Sequence, residues 1–236
     1  MSYNFKGISQ ETLMLLEMNR FNNNKPFYEE HKKEINEGSR KQLGALTLDL
    51  AEQLYAIDEN MLVDPKKVSR ILRDTRFTKD KTLYRANVWT VWHRPLEEGE
   101  TAPGMWCEVA PGGVDNGVGL WRATPAMMEF FRTDLRENAN RFLKAFVPLL
   151  DAGYHCLGAC YKREKPGTEQ MPDALKSIYN LKELYFVKSV ADVSLVATPD
   201  FADYMIEQLK LMKGMYLYLD ALAKRFKAVE QANGKV

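Results

Sequence analysis

Cysteine and histidine are scarce in this chain, at three residues each among 236. Cys107, Cys156 and Cys160 are too few, and odd in number, for a secreted disulfide framework, and they suit a reducing compartment. Long apolar runs are also missing. No stretch approaches the roughly 18 consecutive apolar residues that cross a bilayer, and the N-terminus MSYNFKGIS lacks the basic-then-apolar pattern of a signal peptide. A cytoplasmic protein with no membrane partner is therefore expected. No proline-, glycine- or serine-rich linker divides the chain, and there is no internal repeat. Glu97 to Gly104 and Glu164 to Asp173 read as loops within one domain spanning 1–236. An excess of charge of one sign is absent too, since the net charge is +1.

Several chemical signatures are missing as well. There is no Gly-x-Ser-x-Gly elbow, no phosphate loop, no His-Glu-x-x-His and no dinucleotide fingerprint after a strand. Gly112, Gly113, Gly117 and Gly119 punctuate a hairpin and do not open a helix. His155, Cys156 and Cys160 lack a second ligand pair at zinc spacing, so buried cysteines on a strand are expected there and no metal. Cys107, with His31 or His93 as base, has no local mark of an activated thiol. No cofactor is expected, and no residue is assigned a catalytic role.

What is present is an ample core, with 45% hydrophobic and 11% aromatic residues. Ser9 can cap a helix running to about Arg20, with Met14, Met18 and Phe21 on its apolar stripe. Asn22, Asn23 and Asn24 make a turn, and Pro26 starts a second helix. That helix runs to about Tyr55, bent near Gly38, with Leu43, Leu46, Leu50, Leu54 and Ile57 on one stripe. After Asp64-Pro65 the period changes. Val68 to Leu72 and Leu83 to Trp92 read as strands, the second with Ala86, Val88, Thr90 and Trp92 on one face and Arg85, Asn87, Trp89 and Val91 on the other. Met105 to Ala110 and Val114 to Trp121 flank a turn at Pro111-Gly112-Gly113. Thr124-Pro125 starts a helix, and another covers about Asn140 to Leu150. Strands at Tyr154 to Lys162 and Leu184 to Val190 enclose a short helix at Asp173 to Tyr179, and a helix from Asp200 to about Lys227 closes the chain. The order predicts an α+β fold, a mostly antiparallel central sheet packed by N-terminal and C-terminal helices.

One segment stands apart. Lys66 to Arg85, KKVSRILRDTRFTKDKTLYR, holds eight basic side chains and two aspartates, a local charge of +6 that leaves −5 for the rest of the chain. Val68, Ile71, Leu72, Phe77, Leu83 and Tyr84 thread apolar anchors through it, which sets it apart from a disordered tail. An extended Val68 to Leu72 puts Arg70 and Leu72 on one face and Ile71 and Arg73 on the other, before a turn bearing Asp74, Arg76, Lys79, Asp80 and Lys81. Guanidinium forks match carboxylate or phosphate oxygens, so Arg70, Arg73 and Arg76 converging on one pocket would bind an anion. Equally, Asp74, Asp80, Glu29, Glu30 or Glu34 can neutralise these arginines in a structural ion-pair network. A nucleic-acid backbone ranks third, because the basic charge is confined to one segment of a near-neutral protein.

The spacing Arg73-Asp74-x-Arg76-Phe77-x-Lys79-Asp80-Lys81-x-x-Tyr84 resembles the signature of the DUF2461 family, a conserved hypothetical family of bacteria and fungi. Asn23-Asn24-Lys25-Pro26-Phe27-Tyr28-Glu29-Glu30-His31-Lys32 is similar to its paired asparagines followed by aromatics and a His-Lys. Gly119-Leu120-Trp121 with Pro125 resembles its hairpin exit. The resemblance runs from about Phe5 to Lys188. Departures are Leu72 in place of an aromatic residue, Thr82-Leu83 in place of a proline, and Gln170-Met171 before Pro172 in place of an Asp-His. The resemblance implies one α+β domain and supplies no activity. The sequence thus offers a ligand site for an anionic small molecule built from Arg70, Arg73, Asp74, Arg76, Lys79, Lys81, Tyr84, Asn23, Asn24, His31 and Lys32. The alternative is an interaction or scaffold protein in which the basic segment is structural. Nothing in the chain sets its oligomeric state.

Overall fold

A computed structural model describes residues 3–121, 123–232 and 234. In chain order the elements are α1 (Gln10–Asn22), α2 (Lys25–Ile35), a π-helical turn (Asn36–Arg40), α3 (Lys41–Asp49), α4 (Ala51–Tyr55), β1 (Val88–Trp92), β2 (Ala102–Ala110), β3 (Gly113–Trp121), α5 (Pro125–Asp151), β4 (His155–Leu157), α6 (Asp173–Tyr179), β5 (Tyr185–Val190) and α7 (Phe201–Ala232). The strands form one five-stranded antiparallel sheet in the order β1-β2-β3-β5-β4. This is the expected α+β architecture. The residues group into two compact units: Met1–Trp92, Trp106–Asn116 and Ser189–Leu209 in the first; His93–Met105, Gly117–Lys188 and Lys210–Val236 in the second.

In the first unit the helix starts follow local chemistry. Ser9 Oγ accepts from the Thr12 N–H at 3.3 Å, Asn24 Oδ1 accepts from the Phe27 N–H at 3.0 Å, and Pro26 sits in the first turn of α2, where no N–H is needed. Between them Asn23 adopts the left-handed conformation, with φ 48°, that ends α1. The bend expected near Gly38 is the π-helical turn, and a Cβ there would lie 2.3 Å from Thr12 Oγ1, so only glycine lets α1 approach. Leu43, Leu46, Leu50, Leu54 and Ile57 are buried as their spacing predicts. Trp92 donates its indole N–H to Thr47 Oγ1 at 3.2 Å, and the Ile8 N–H reaches the Val196 carbonyl at 2.8 Å.

In the second unit Thr124 caps α5 by accepting from the Met127 N–H at 3.1 Å, and the two helices expected here are joined at a kink at Asn138. Asp134, buried, accepts from Tyr218 Oη at 2.7 Å, Arg225 at 2.6 Å and Arg141 at 3.2 Å, so its charge is matched. Arg132, fully buried on α5, donates to the carbonyls of Tyr179 at 2.8 Å and Leu181 at 2.6 Å. Phe142 centres an aromatic cluster with Phe131, Phe146, Phe186 and Tyr218. Along α7, whose residues up to Leu209 belong to the first unit, Phe201, Met205, Leu209 and Met212 are all buried, as their spacing predicts.

Four expectations are corrected. On α1 the buried positions are Leu13, Leu16 and Asn19, while Met14, Met18 and Phe21 face outward, Phe21 at 88% exposure. Two apolar stripes compete on this helix, and the one that packs ends in an asparagine. Val68 to Leu72 forms isolated bridges, Val68 with Thr90 and Leu72 with Tyr84, and no strand. The ladder breaks because the Trp89 N–H goes to Ser69 Oγ at 3.0 Å and the Ser69 carbonyl accepts from Arg40 Nε at 2.9 Å. The strand expected at Tyr154 to Lys162 stops at Leu157, since Gly158 has φ 155° and a Cβ there would strike the Glu183 carbonyl at 2.6 Å. Cys160, expected buried, is exposed, whereas Cys107 is buried and Cys156 half-buried. Burial pushes the Cys156 thiol up to about 12 and raises Cys107 further.

Candidate functional site

The basic segment folds as two extended arms and an exposed loop. The arms are tied by Arg73 N–H to the Leu83 carbonyl at 2.8 Å and Arg85 N–H to the Ile71 carbonyl at 2.9 Å. Val68, Ile71 and Tyr84 are buried anchors; Leu72, Leu83 and Phe77 are exposed, Phe77 at 88%. Phe77 lies under Arg76, with the guanidinium 5.4 Å from the ring centre.

Both aspartates are consumed within the loop. Asp74 takes Arg76 Nε at 3.0 Å and Nη2 at 2.7 Å, a bidentate pair that holds its carboxyl below the usual range. Asp80 accepts from Arg73 Nη1, from Thr82 Oγ1 at 2.6 Å and from the Thr82 N–H at 2.9 Å. The Thr82 bonds first, and then Arg73, hold Asp80 well below the ordinary carboxylate range. Lys81 Nζ reaches the Thr75 carbonyl at 2.8 Å. Arg70 and Lys79 are exposed and form no ion pair among the described residues.

The residues expected to join the site from the N-terminal helices have other partners. Asn23 Oδ1 accepts from the Leu83 N–H at 2.6 Å, which pins the second arm to the α1–α2 turn, and Asn24 is the cap of α2. His31 faces Glu34 at 3.4 Å and packs on Phe27, with ring centres 4.5 Å apart. Lys32 pairs with Glu29 at 3.5 Å. Tyr28 stacks on Tyr84 at 4.8 Å. Burial, then Tyr28 and Glu29, raise the Tyr84 phenol.

Two hollows adjoin the segment, and they share Arg73. The outer one, of about 320 Å³, is open and lined by Arg70, Leu72, Arg73, Asp74, Thr75 and Arg76. The inner one, of about 420 Å³, is lined by Arg73, Asp80 and Tyr84 to Asn87, with Glu17 and Arg20 from α1 and Glu108 and Ala110 to Gly112 contributing the rest. The structure thus divides the expected residues. Arg73 and Tyr84 reach the inner cleft; Arg70, Asp74 and Arg76 line the outer hollow; Lys79, Lys81, Asn23, Asn24, His31 and Lys32 line neither.

Arg85 is the residue that the sequence reading missed. Its guanidinium lies over Trp89, 4.6 Å from the ring centre, and its buried Nε has no hydrogen-bond partner. It forms no ion pair among the described residues. Burial, then the nearby Arg73, depress its proton affinity, with Glu108 opposing them. Asn87, two residues on, donates to Glu108 Oε1 at 2.8 Å. The signal was the outward face of the second arm, where a cation, an amide and an indole alternate at Arg85, Asn87 and Trp89.

An antiparallel sheet flanked by helices, with an arginine-lined cleft beside a basic loop, defines an α+β protein. The chain belongs to the DUF2461 family of conserved hypothetical proteins, whose family model matches residues 11–218. Neither the curated proteins nor the solved structures include a match to this chain.

Proposed function

We propose that the inner cleft binds a small anionic molecule through Arg85 and Arg73. The observation that carries this reading is the Arg85 guanidinium, half-buried beside another cation, with an enclosed Nε that no protein group satisfies. A partly desolvated cation with no ion pair and an unsatisfied donor is costly, and an anion in the cleft supplies both a paired charge and the missing acceptor. The volume, about 420 Å³, falls in the ordinary range for small-molecule sites. Isothermal titration calorimetry of the wild type and Arg85→Gln against inorganic phosphate and citrate tests it. Loss of a charge-assisted bond worth about 1.5–3 kcal/mol predicts a Kd weakened roughly 10- to 150-fold. Equal affinity of the two proteins, or no saturable binding by the wild type, overturns the reading.

A second reading applies to the loop itself. The Arg73–Asp80 and Arg76–Asp74 pairs and the Asn23 tether support a structural scaffold for residues 73–83. Arg76, with its side chain 76% exposed, contributes little to stability through its pair with Asp74, because solvent screens it. The two readings are compatible, because only Arg73 and Asp80 belong to both the loop scaffold and the cleft lining.

A further inference from the structure

The lining of the inner cleft is not simply basic. Arg20, Arg73 and Arg85 are accompanied by Glu17, Asp80 and Glu108. Of these carboxylates Asp80 is committed to Arg73 and Thr82, whereas Glu108 has a single neutral partner, Asn87, and Glu17 forms no ion pair among the described residues. A bare anion on Arg85 and Arg73 also meets repulsion from Glu108, the carboxylate near enough to raise the proton affinity of Arg85, which weakens its binding without abolishing it. Apolar lining is slight, limited to Ala86, Ala110, Pro111 and the Tyr84 ring. Recognition therefore falls to paired polar groups.

From this juxtaposition we infer that the ligand is a small zwitterion, its anionic end on Arg85 and Arg73 and a cationic amine on Glu108 and Glu17. The inference rests on the anion-binding reading above and narrows its ligand class. It disfavours long apolar ligands, for which the cleft offers little surface, and it separates aminated phosphates or amino acids from their amine-free counterparts. Glu17 lies on α1 and Glu108 on β2, so the amine end would be held by elements outside the basic segment.

The test uses matched probes that differ only in the amine: phosphoethanolamine against ethyl phosphate, and β-alanine against propionate, titrated calorimetrically into the full chain. The aminated member of at least one pair is expected to bind roughly 10-fold or more tighter, the worth of one charge-assisted contact. Glu108→Gln and Glu17→Gln are expected to erase that advantage while leaving or strengthening binding of the amine-free probe, and Arg85→Gln to weaken both members alike. Glutamine keeps the shape at these partly exposed positions, and circular dichroism checks that the variants fold. If both members of each pair bind equally and the glutamine variants do not separate them, the zwitterion is overturned and the anion site stands. If no probe binds, or Arg85→Gln changes nothing, both fall.

Discussion

At the scale of the residue, Asp80 and Asn19 show opposite uses of a polar side chain. Asp80 lies on the surface yet accepts three hydrogen bonds, from Thr82 twice and from Arg73. A carboxylate whose folded pKa is depressed supplies its tether above the ordinary midpoint of about 3.9 and loses it as pH falls through the lower folded value. The loop anchor is therefore expected to persist at pH 4 and to release only in stronger acid. A carboxyl-carbon NMR titration checks this, and an Asp80 midpoint at or above the ordinary value contradicts it. Asn19 is fully buried, and neither side-chain Nδ2 nor Oδ1 has a partner. An unsatisfied amide costs stability that an apolar group of similar shape does not. Asn19→Leu is expected to leave stability unchanged or raise it by up to about 2 kcal/mol by urea denaturation. A clear loss would mean that the amide is hydrogen-bonded in solution. This asparagine is also why the packed face of α1 was hidden in the sequence: an apolar pattern followed through Met14, Met18 and Phe21 looks more regular than one that ends in an amide.

At the scale of the element, α5 shows how a buried charge fixes a helix. Arg132 crosses from α5 to the end of α6, satisfying two carbonyls that the helix turn leaves open, those of Tyr179 and Leu181. Arg132→Met keeps the stem and orphans both acceptors. At about 1–3 kcal/mol for each, a loss of roughly 2–6 kcal/mol is expected from urea or thermal unfolding, and a change under about 1 kcal/mol would show that water replaces the guanidinium. Elements with local signals were legible in advance. Thr124-Pro125 and Asn24 with Pro26 rest on caps and prolines close in sequence, and the 173–179 helix follows directly on Pro172. The broken arms around Ser69 were not, because Ser69 and Arg40 divert the ladder across 29 residues of chain. The site was legible in part for the same reason. Charge density pointed to Arg73, but Arg85 matters through enclosure and through Trp89, and enclosure is a tertiary property. Asn23, Asn24, His31 and Lys32 attracted notice as polar groups beside the segment, and their bonds turn out to be local or architectural.

At the scale of the molecule, the first unit is assembled from three separate stretches, Met1–Trp92, Trp106–Asn116 and Ser189–Leu209. The last of these supplies the Val196 carbonyl to Ile8, the Phe201 ring 5.8 Å from Phe5, and Tyr204 Oη to Asn116 at 3.1 Å. A fragment ending at Asn116 contains every residue of the cleft and none of these contacts. It is expected to be unfolded by circular dichroism and rapidly proteolysed; a protease-resistant fragment would show that the site region stands without them. The cleft's chemistry is thus gathered early in the chain but depends on a return from far along it.

Trp89 gives the cleft a further property. Its indole lies against the Arg85 guanidinium, 4.6 Å from the ring centre. Anything that alters the field of Arg85 also alters the excited state of that indole, so the protein carries its own optical reporter at the site. With Trp89→Phe as the blank, the change in emission on adding a compound isolates the cleft from Trp92, Trp106 and Trp121, and compound collections can be screened by intrinsic fluorescence without a label.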